Sequence, residues 1–163
     1  MQNGYVVNDW RAAASHWADK LQVGPFFAMQ HVPFEWCEYR GKRVTIDMSV
    51  AIAYSGDYQI ELVQQHNDAP SIYQDFLRDN SAGLQHVGAL TENLQECLQQ
   101  SGLQEKIVQQ GLTTAGVHFA YVDTVAFNGT MLELIETNPS MLKAFNYMQS
   151  SAERWDGIEA IRI

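Results

Sequence analysis

The chain has 163 residues, 46% of them hydrophobic, and a formal net charge of -9 at pH 7. It is long enough to bury a good core, as one domain or as two small modules sharing a sheet, and its acidity argues against nucleic-acid or anionic-membrane partners, which need clustered Lys and Arg. No apolar run reaches the roughly 18 residues that span a bilayer, the start lacks a basic-then-apolar signal pattern, and Cys37 and Cys97 form no CxxC pair, so a cytoplasmic protein with free thiols is expected.

A short apolar run, residues 2–7, opens the chain, and Asp9 follows in position to cap a helix. Over residues 9–21, Trp10, Ala13, Ala14, Trp17 and Leu21 keep helical spacing until Gly24-Pro25 ends the segment. Phe26-Phe27 opens a second strand, and residues 35–42 form a polar stretch with no counterpart later. Residues 51–63 read as a hairpin. A three-residue turn at Ser55-Gly56-Asp57 would set Ala51 opposite Glu61, with Ala53 and Gln59 beside it and with Ile52, Ile60 and Leu62 on the other face.

Residues 69–82 read as a linker with a helical turn or two. Beyond it the order repeats: a strand over 86–90, a helix opened by Asn93 with Glu96 in the capping-box position, and strands near 105–112 and 118–125. A second hairpin over 125–135 turns at Asn128-Gly129, a strong two-residue turn signal, pairing Phe127 with Thr130 and Thr124 with Glu133; Ala126 and Met131 share that face. After Pro139 a last helix carries Leu142, Phe145, Met148, Ala152 and Trp155 on one face, with Gly157 to cap it, and is expected to cover an edge or an opening of the sheet.

The two hairpins are versions of one another. AIAYSGDYQIELV and VAFNGTMLELI each carry one carboxylate between aliphatic neighbours, at Glu61 and Glu133, and each half opens with a polar residue, Gln2 or His86, at the head of its first strand. The expected organisation is α+β: two tandem βαβββ modules, 1–68 and 83–137, with a C-terminal helix and tail over 138–163.

This repeated module, with VGPFF at residues 23–27, QIELV at 59–63, GLQHVG at 83–88 and MLELI at 131–135, resembles the vicinal oxygen chelate superfamily and within it the glyoxalase-like bacterial members; the closing Trp155-Asp156-Gly157 fits that group too. The resemblance spans almost the whole chain. It implies a curled mixed sheet around a central cleft and one divalent metal, Zn first, with Ni, Co or Mn as alternatives, held by Gln2, Glu61, His86 and Glu133. It also implies a homodimer as the expected assembly. Such a mixed oxygen and nitrogen donor set leaves room for a substrate chelating through two adjacent oxygens, with Glu133 removing a proton and Glu61 returning one in a lyase or isomerase reaction on a small molecule. Zinc-type glyoxalase I shows a similar quartet, whereas Val6 and Ala82 stand where basic residues would grip glutathione. Methylmalonyl-CoA epimerase-like chemistry and a metal-free antibiotic-type binding protein of the same fold are the alternatives. His16, His31, His66 and His118 are read as surface or core histidines, and Phe26, Phe27, Trp36, Tyr54, Tyr121 and Trp155 as candidates to line an apolar pocket.

Overall fold

The computed structural model describes residues 1–163. The first half runs β1 Gln2–Val6, α1 Trp10–Leu21, β2 Phe26–Met29, β3 Phe34–Tyr39, β4 Lys42–Arg43, β5 Met48–Ser55 and β6 Tyr58–Gln65. After α2, Ile72–Asp79, the second half runs β7 Gly83–Thr91, α3 Leu94–Ser101, β8 Ile107–Thr113, β9 His118–Val122, α4 Val125–Asn128 and β10 Met131–Glu136, followed by α5 Pro139–Glu153 and β11 Ile161–Arg162. All the strands belong to one curled, unclosed mixed sheet, ordered β11-β2-β5-β6-β1-β7-β10-β9-β8-β3-β4. At its centre β1 and β7 pair antiparallel and join the halves. No helix is long and apolar enough to cross a membrane.

Local signals account for the helices. The Asp9 side chain accepts from the Ala12 amide and Asn93 from the Glu96 amide, as their positions ahead of apolar helical runs require, and Ser71 and Asn138 do the same for α2 and α5. Trp10, Ala14 and Ala18 bury the inner face of α1, and Leu94 and Leu98 that of α3, each against the convex side of its own half of the sheet. A third cluster, with Val6, Val63, Tyr73, Phe119 and Tyr121, lies between the sheet and α2.

Three expectations change. The β5–β6 turn has two residues, Gly56-Asp57, because Ser55 pairs with Tyr58, and so Ile52 rather than Ala51 lies opposite Glu61. A one-residue slip turns every side chain over. Ala51, Ala53, Ile60 and Leu62 therefore pack with Trp10 under α1, where small alanines make room for the indole, and Ile52 shares the concave face with Glu61.

Residues 125–135 are not a hairpin. The Asp123 carboxylate accepts from the Val125 amide and the Thr124 carbonyl from the amides of Phe127 and Asn128, which winds 125–128 into a helical turn closed by Gly129 at φ 77°. Val125 and Phe127 are exposed, so no packing held them in a strand. Glu133 consequently lies opposite Tyr121, not Thr124.

The polar stretch over 35–42 is the β3–β4 hairpin, and β3 pairs with β8 of the second half. The four residues between β2 and β3 cross from one flank of the sheet to the other. Val32 donates to the Met48 carbonyl on one side and Thr114 to the Pro33 carbonyl on the other, which draws the flanks together over the concave face.

Candidate metal centre

Alternation along the four central strands decides which side chains meet. Gly4 of β1 pairs with Glu61 of β6 and with His86 of β7, while Gly88 of β7 pairs with Gln2 of β1 and with Glu133 of β10. Gln2-x-Gly4 and His86-x-Gly88 are thus the same device used twice, each polar side chain lying across the glycine of the opposing strand. A Cβ on Gly4 would stand 1.8 Å from His86 Nε2, and one on Gly88 would stand 2.5 Å from Gln2 Oε1. Only glycine admits those side chains.

The structure brings Gln2, Glu61, His86 and Glu133 to one concave, buried place. Donor atoms of Glu61, His86 and Glu133 lie within 4.8 Å of one another, with His86 Nε2 at 3.3 Å from Glu61 Oε2 and 3.4 Å from Glu133 Oε2. Gln2 Oε1, His86 Nε2 and Glu133 Oε2 are buried without a hydrogen-bond partner. Buried polar atoms are normally paired, and three orphans converging on one place fit a set of ligand atoms for a cation.

Neighbouring groups fix how these atoms point. The Gln85 side-chain oxygen Oε1 sits 2.7 Å from His86 Nδ1, so in the neutral ring Nδ1 carries the proton and Nε2 presents its lone pair. The Gln2 amide donates to Gln59 Oε1 at 2.8 Å, and Gln59 in turn donates to the Tyr54 hydroxyl at 2.7 Å, which leaves Gln2 Oε1 without a partner, lying over Gly88. Gln59 stands two residues before Glu61 and so on the same face, beside Glu61 as the period-two reading of the sequence set it; Gln85 had no such mark.

Burial pushes the Glu133 carboxyl from 4.5 up to about 7, with the neighbouring charge of Glu61 in the same direction and His86 opposing. For His86, burial acts to lower the pKa, but the carboxylates of Glu61 and Glu133, 3.3 and 3.4 Å from Nε2, outweigh it and hold the imidazole above its usual 6.5. Without a cation, the cluster holds protons tightly. Burial also keeps Tyr73 and Tyr121 well above the usual phenol range, and the Tyr73 hydroxyl donates to that of Tyr121 at 3.1 Å beside Glu133.

Above the cluster lies a cavity of about 390 Å³, within the range of small-molecule sites. Helix α5 covers it through Met141, Ala144, Phe145 and Met148. Of the six aromatics named from the sequence as pocket candidates, only Tyr121 lines it. Phe26 is core beneath α1, Trp36 stacks on His118 and Arg43, Tyr54 orients Gln59, Trp155 packs over Gly24, and Phe27 packs against Tyr147. His16 is exposed on α1.

A second trio, His31, Asp47 and His66, also gathers ligand atoms within 4.8 Å, at the surface. Hydrogen bonds already engage it: His31 Nδ1 lies 2.7 Å from Asp47, and His66 Nε2 lies 2.7 Å from Ser49 Oγ. The orphaned atoms distinguish the buried cluster from it.

Residues 1–121 match the family model of the Glyoxalase/Bleomycin resistance protein/Dioxygenase superfamily. Among solved structures, the chain is similar to methylmalonyl-CoA epimerase from Mycobacterium tuberculosis at 19% identity and TM-score 0.57, over 87% of this chain and 89% of that one. It is also similar to a hypothetical protein from Bacillus halodurans at 14% identity and TM-score 0.58, over 84% and 92%, and to the Streptomyces coelicolor epimerase in complex with 2-nitronate-propionyl-CoA at 13% identity and TM-score 0.56, over 85% and 93%. At these identities the likeness is one of fold. Among curated proteins, none matches the chain in sequence.

Proposed function

This chain belongs to the Glyoxalase/Bleomycin resistance protein/Dioxygenase superfamily, and from that premise we propose that it is a metal-dependent lyase or isomerase that moves a proton on the carbon beside a carbonyl of a small substrate. The observation that carries the reading is the convergence of three unpartnered buried atoms, Gln2 Oε1, His86 Nε2 and Glu133 Oε2, beside Glu61. A divalent ion held by Gln2, Glu61, His86 and Glu133, Zn first and Ni, Co or Mn as alternatives, would polarise the carbonyl and stabilise the negative charge left when the proton departs, an effect worth several kcal/mol.

The side chains supply the rest. The Glu133 carboxylate, through the oxygen the ion would leave free, takes the proton; Glu61, which comes from the other half of the sheet, returns one from a different side. Tyr121, whose hydroxyl accepts from Tyr73, lies across the sheet from Glu133, and α5 and the 30–33 crossing line the space above the reacting carbon. The apolar cavity favours one second reading, a metal-free binding protein for a small hydrophobic molecule. A methylmalonyl-CoA epimerase-like reaction would be the same proton chemistry on a different substrate.

The test combines elemental analysis of protein purified without added metal with exchange of the α-proton into deuterated water, using small 2-oxo and 2-hydroxy compounds and each of the four metals. The expected result is about one metal per chain and metal-dependent exchange for at least one compound. Glu133→Gln keeps an oxygen donor but removes the base, so exchange should fall roughly 10²-fold or more while metal affinity falls much less. Equal losses would make Glu133 a structural ligand alone. Tight binding of an apolar compound to metal-free protein, with no exchange under any metal, would favour the binding protein.

A further inference from the structure

We infer that the substrate has a neutral, apolar body, its only charged or strongly polar part being the oxygen pair directed at Gln2, Glu61, His86 and Glu133, and that the site takes no anionic carrier such as glutathione. The inference deepens the metal-chelation reading above and rests on it. Its ground is the wall of the cavity. No Lys, Arg or His is among the 25 residues that line it, 16 of those residues are hydrophobic, and the only charged ones are Glu61 and Glu133 at the floor.

An anionic group drawn into this space would lose its water and meet no cation except at the floor, a cost that burial of an unpaired charge always carries. The polar side chains that remain on the wall are Gln2, Gln30, Thr113, Thr114, Asn138 and Ser140, with the hydroxyls of Tyr73 and Tyr121, which bond each other. Gln2 is already committed to Gln59, and Asn138 to the Met141 amide and the Ala115 and Gly116 carbonyls. None of these uncharged groups can neutralise a carboxylate or phosphate.

The rest of the wall says which apolar bodies fit. Met29, Met48, Met141 and Met148 line the cavity, four of the chain's six methionines, together with Phe34, Phe119 and Phe145. Methionine is unbranched and polarizable, so a surface rich in it adapts to alkyl and aryl shapes alike. Helix α5 and the 30–33 crossing line this space from within the same chain.

Hydroxamates test the inference by binding rather than turnover, because they present two adjacent oxygens to a metal and their tails can be varied. Zn-loaded protein is titrated with acetohydroxamate, butanohydroxamate, hexanohydroxamate and adipic monohydroxamate, whose tail ends in a carboxylate, and each titration is repeated on metal-free protein. Affinity should rise roughly fourfold per buried methylene along the neutral series, and the carboxylate-ended probe should bind at least tenfold more weakly than hexanohydroxamate. Ala144→Lys, on the exposed face of α5 at the cavity wall, should narrow that gap by tightening the carboxylate-ended probe. Equal affinity for the charged and neutral tails would overturn the inference and leave the chelation reading standing. Affinity that follows tail length without metal would uphold the apolar body and overturn chelation. No binding of any probe, with or without metal, would overturn both.

Discussion

At the scale of single residues, glycine decides whether the cluster can exist. Gly4 and Gly88 are the places where the backbones of β1 and β7 let a side chain from the opposing strand lie flat across them. Gly4→Ala would drive the His86 ring out of its position, since a Cβ there overlaps Nε2 at 1.8 Å; metal affinity should fall by roughly 10²-fold, the larger end of what loss of ligand orientation costs. Isothermal titration with Zn would measure it, and an unchanged affinity would remove His86 from the ligand set. Titration offers a second check. A carboxyl whose folded pKa is raised, as Glu133 is from 4.5 to about 7, makes the fold less stable as pH rises through that window. A histidine held above 6.5, as His86 is, contributes stability that is full below its unfolded pKa and is lost as pH rises through its folded one. Both act in one direction. With chelator present, Tm should fall with rising pH between about 4.5 and neutrality more steeply in the native chain than in Glu133→Gln, and saturating Zn should reverse the trend; a native chain no steeper than the variant would refute the electrostatic picture. The four polar residues were legible in the sequence because the repeat marks each position twice. Gln85 was not, because a lone glutamine beside a histidine carries no pattern that separates it from surface.

Among elements, α5 couples stability to the site. Asn138 accepts from the Met141 amide at 2.8 Å and donates to the Ala115 and Gly116 carbonyls at 3.3 and 3.1 Å, so one side chain both caps the helix and ties it to the turn between β8 and β9. Asn138→Ala should cost about 1 to 2 kcal/mol in urea unfolding and raise hydrogen exchange selectively in the first turns of α5. A uniform change across the chain would contradict the tether. Caps made α1 and α3 readable in advance, and the apolar spacing after Pro139 gave α5, which ends at Glu153 with Arg154 as its C-cap, so Trp155 lies beyond the helix and Gly157 does not cap it. The connections were less so. Asn128-Gly129 is a hairpin signal only if its flanks have a sheet face to pack on, and with Val125 and Phe127 in solvent the side-chain caps from Asp123 and the Thr124 carbonyl win instead. The β5–β6 register failed by one residue for a similar reason: local turn chemistry allows two or three residues at Ser55 to Asp57, and the choice is made by the fit of Ala51 and Ala53 under Trp10, a tertiary contact.

The whole molecule explains how one chain encloses a site. In the sheet order, β6, β1, β7 and β10 are central neighbours, and each contributes one member of the polar cluster, so the cluster is complete without a second chain. The β3–β4 hairpin, which leaves the first half to pair with β8, carries the chain across the concave face and pulls its flanks together. Metal stoichiometry should therefore stay at about one per chain on dilution, whatever the oligomeric state. The measurement that tests the central claim most directly is an anomalous difference map from a crystal of the protein loaded with one equivalent of Zn. The account predicts a single strong peak bounded by Gln2, Glu61, His86 and Glu133, with ligand atoms at about 2.0 to 2.2 Å. A peak instead at His31, Asp47 and His66, or none at all between the two glutamates and His86, would contradict it.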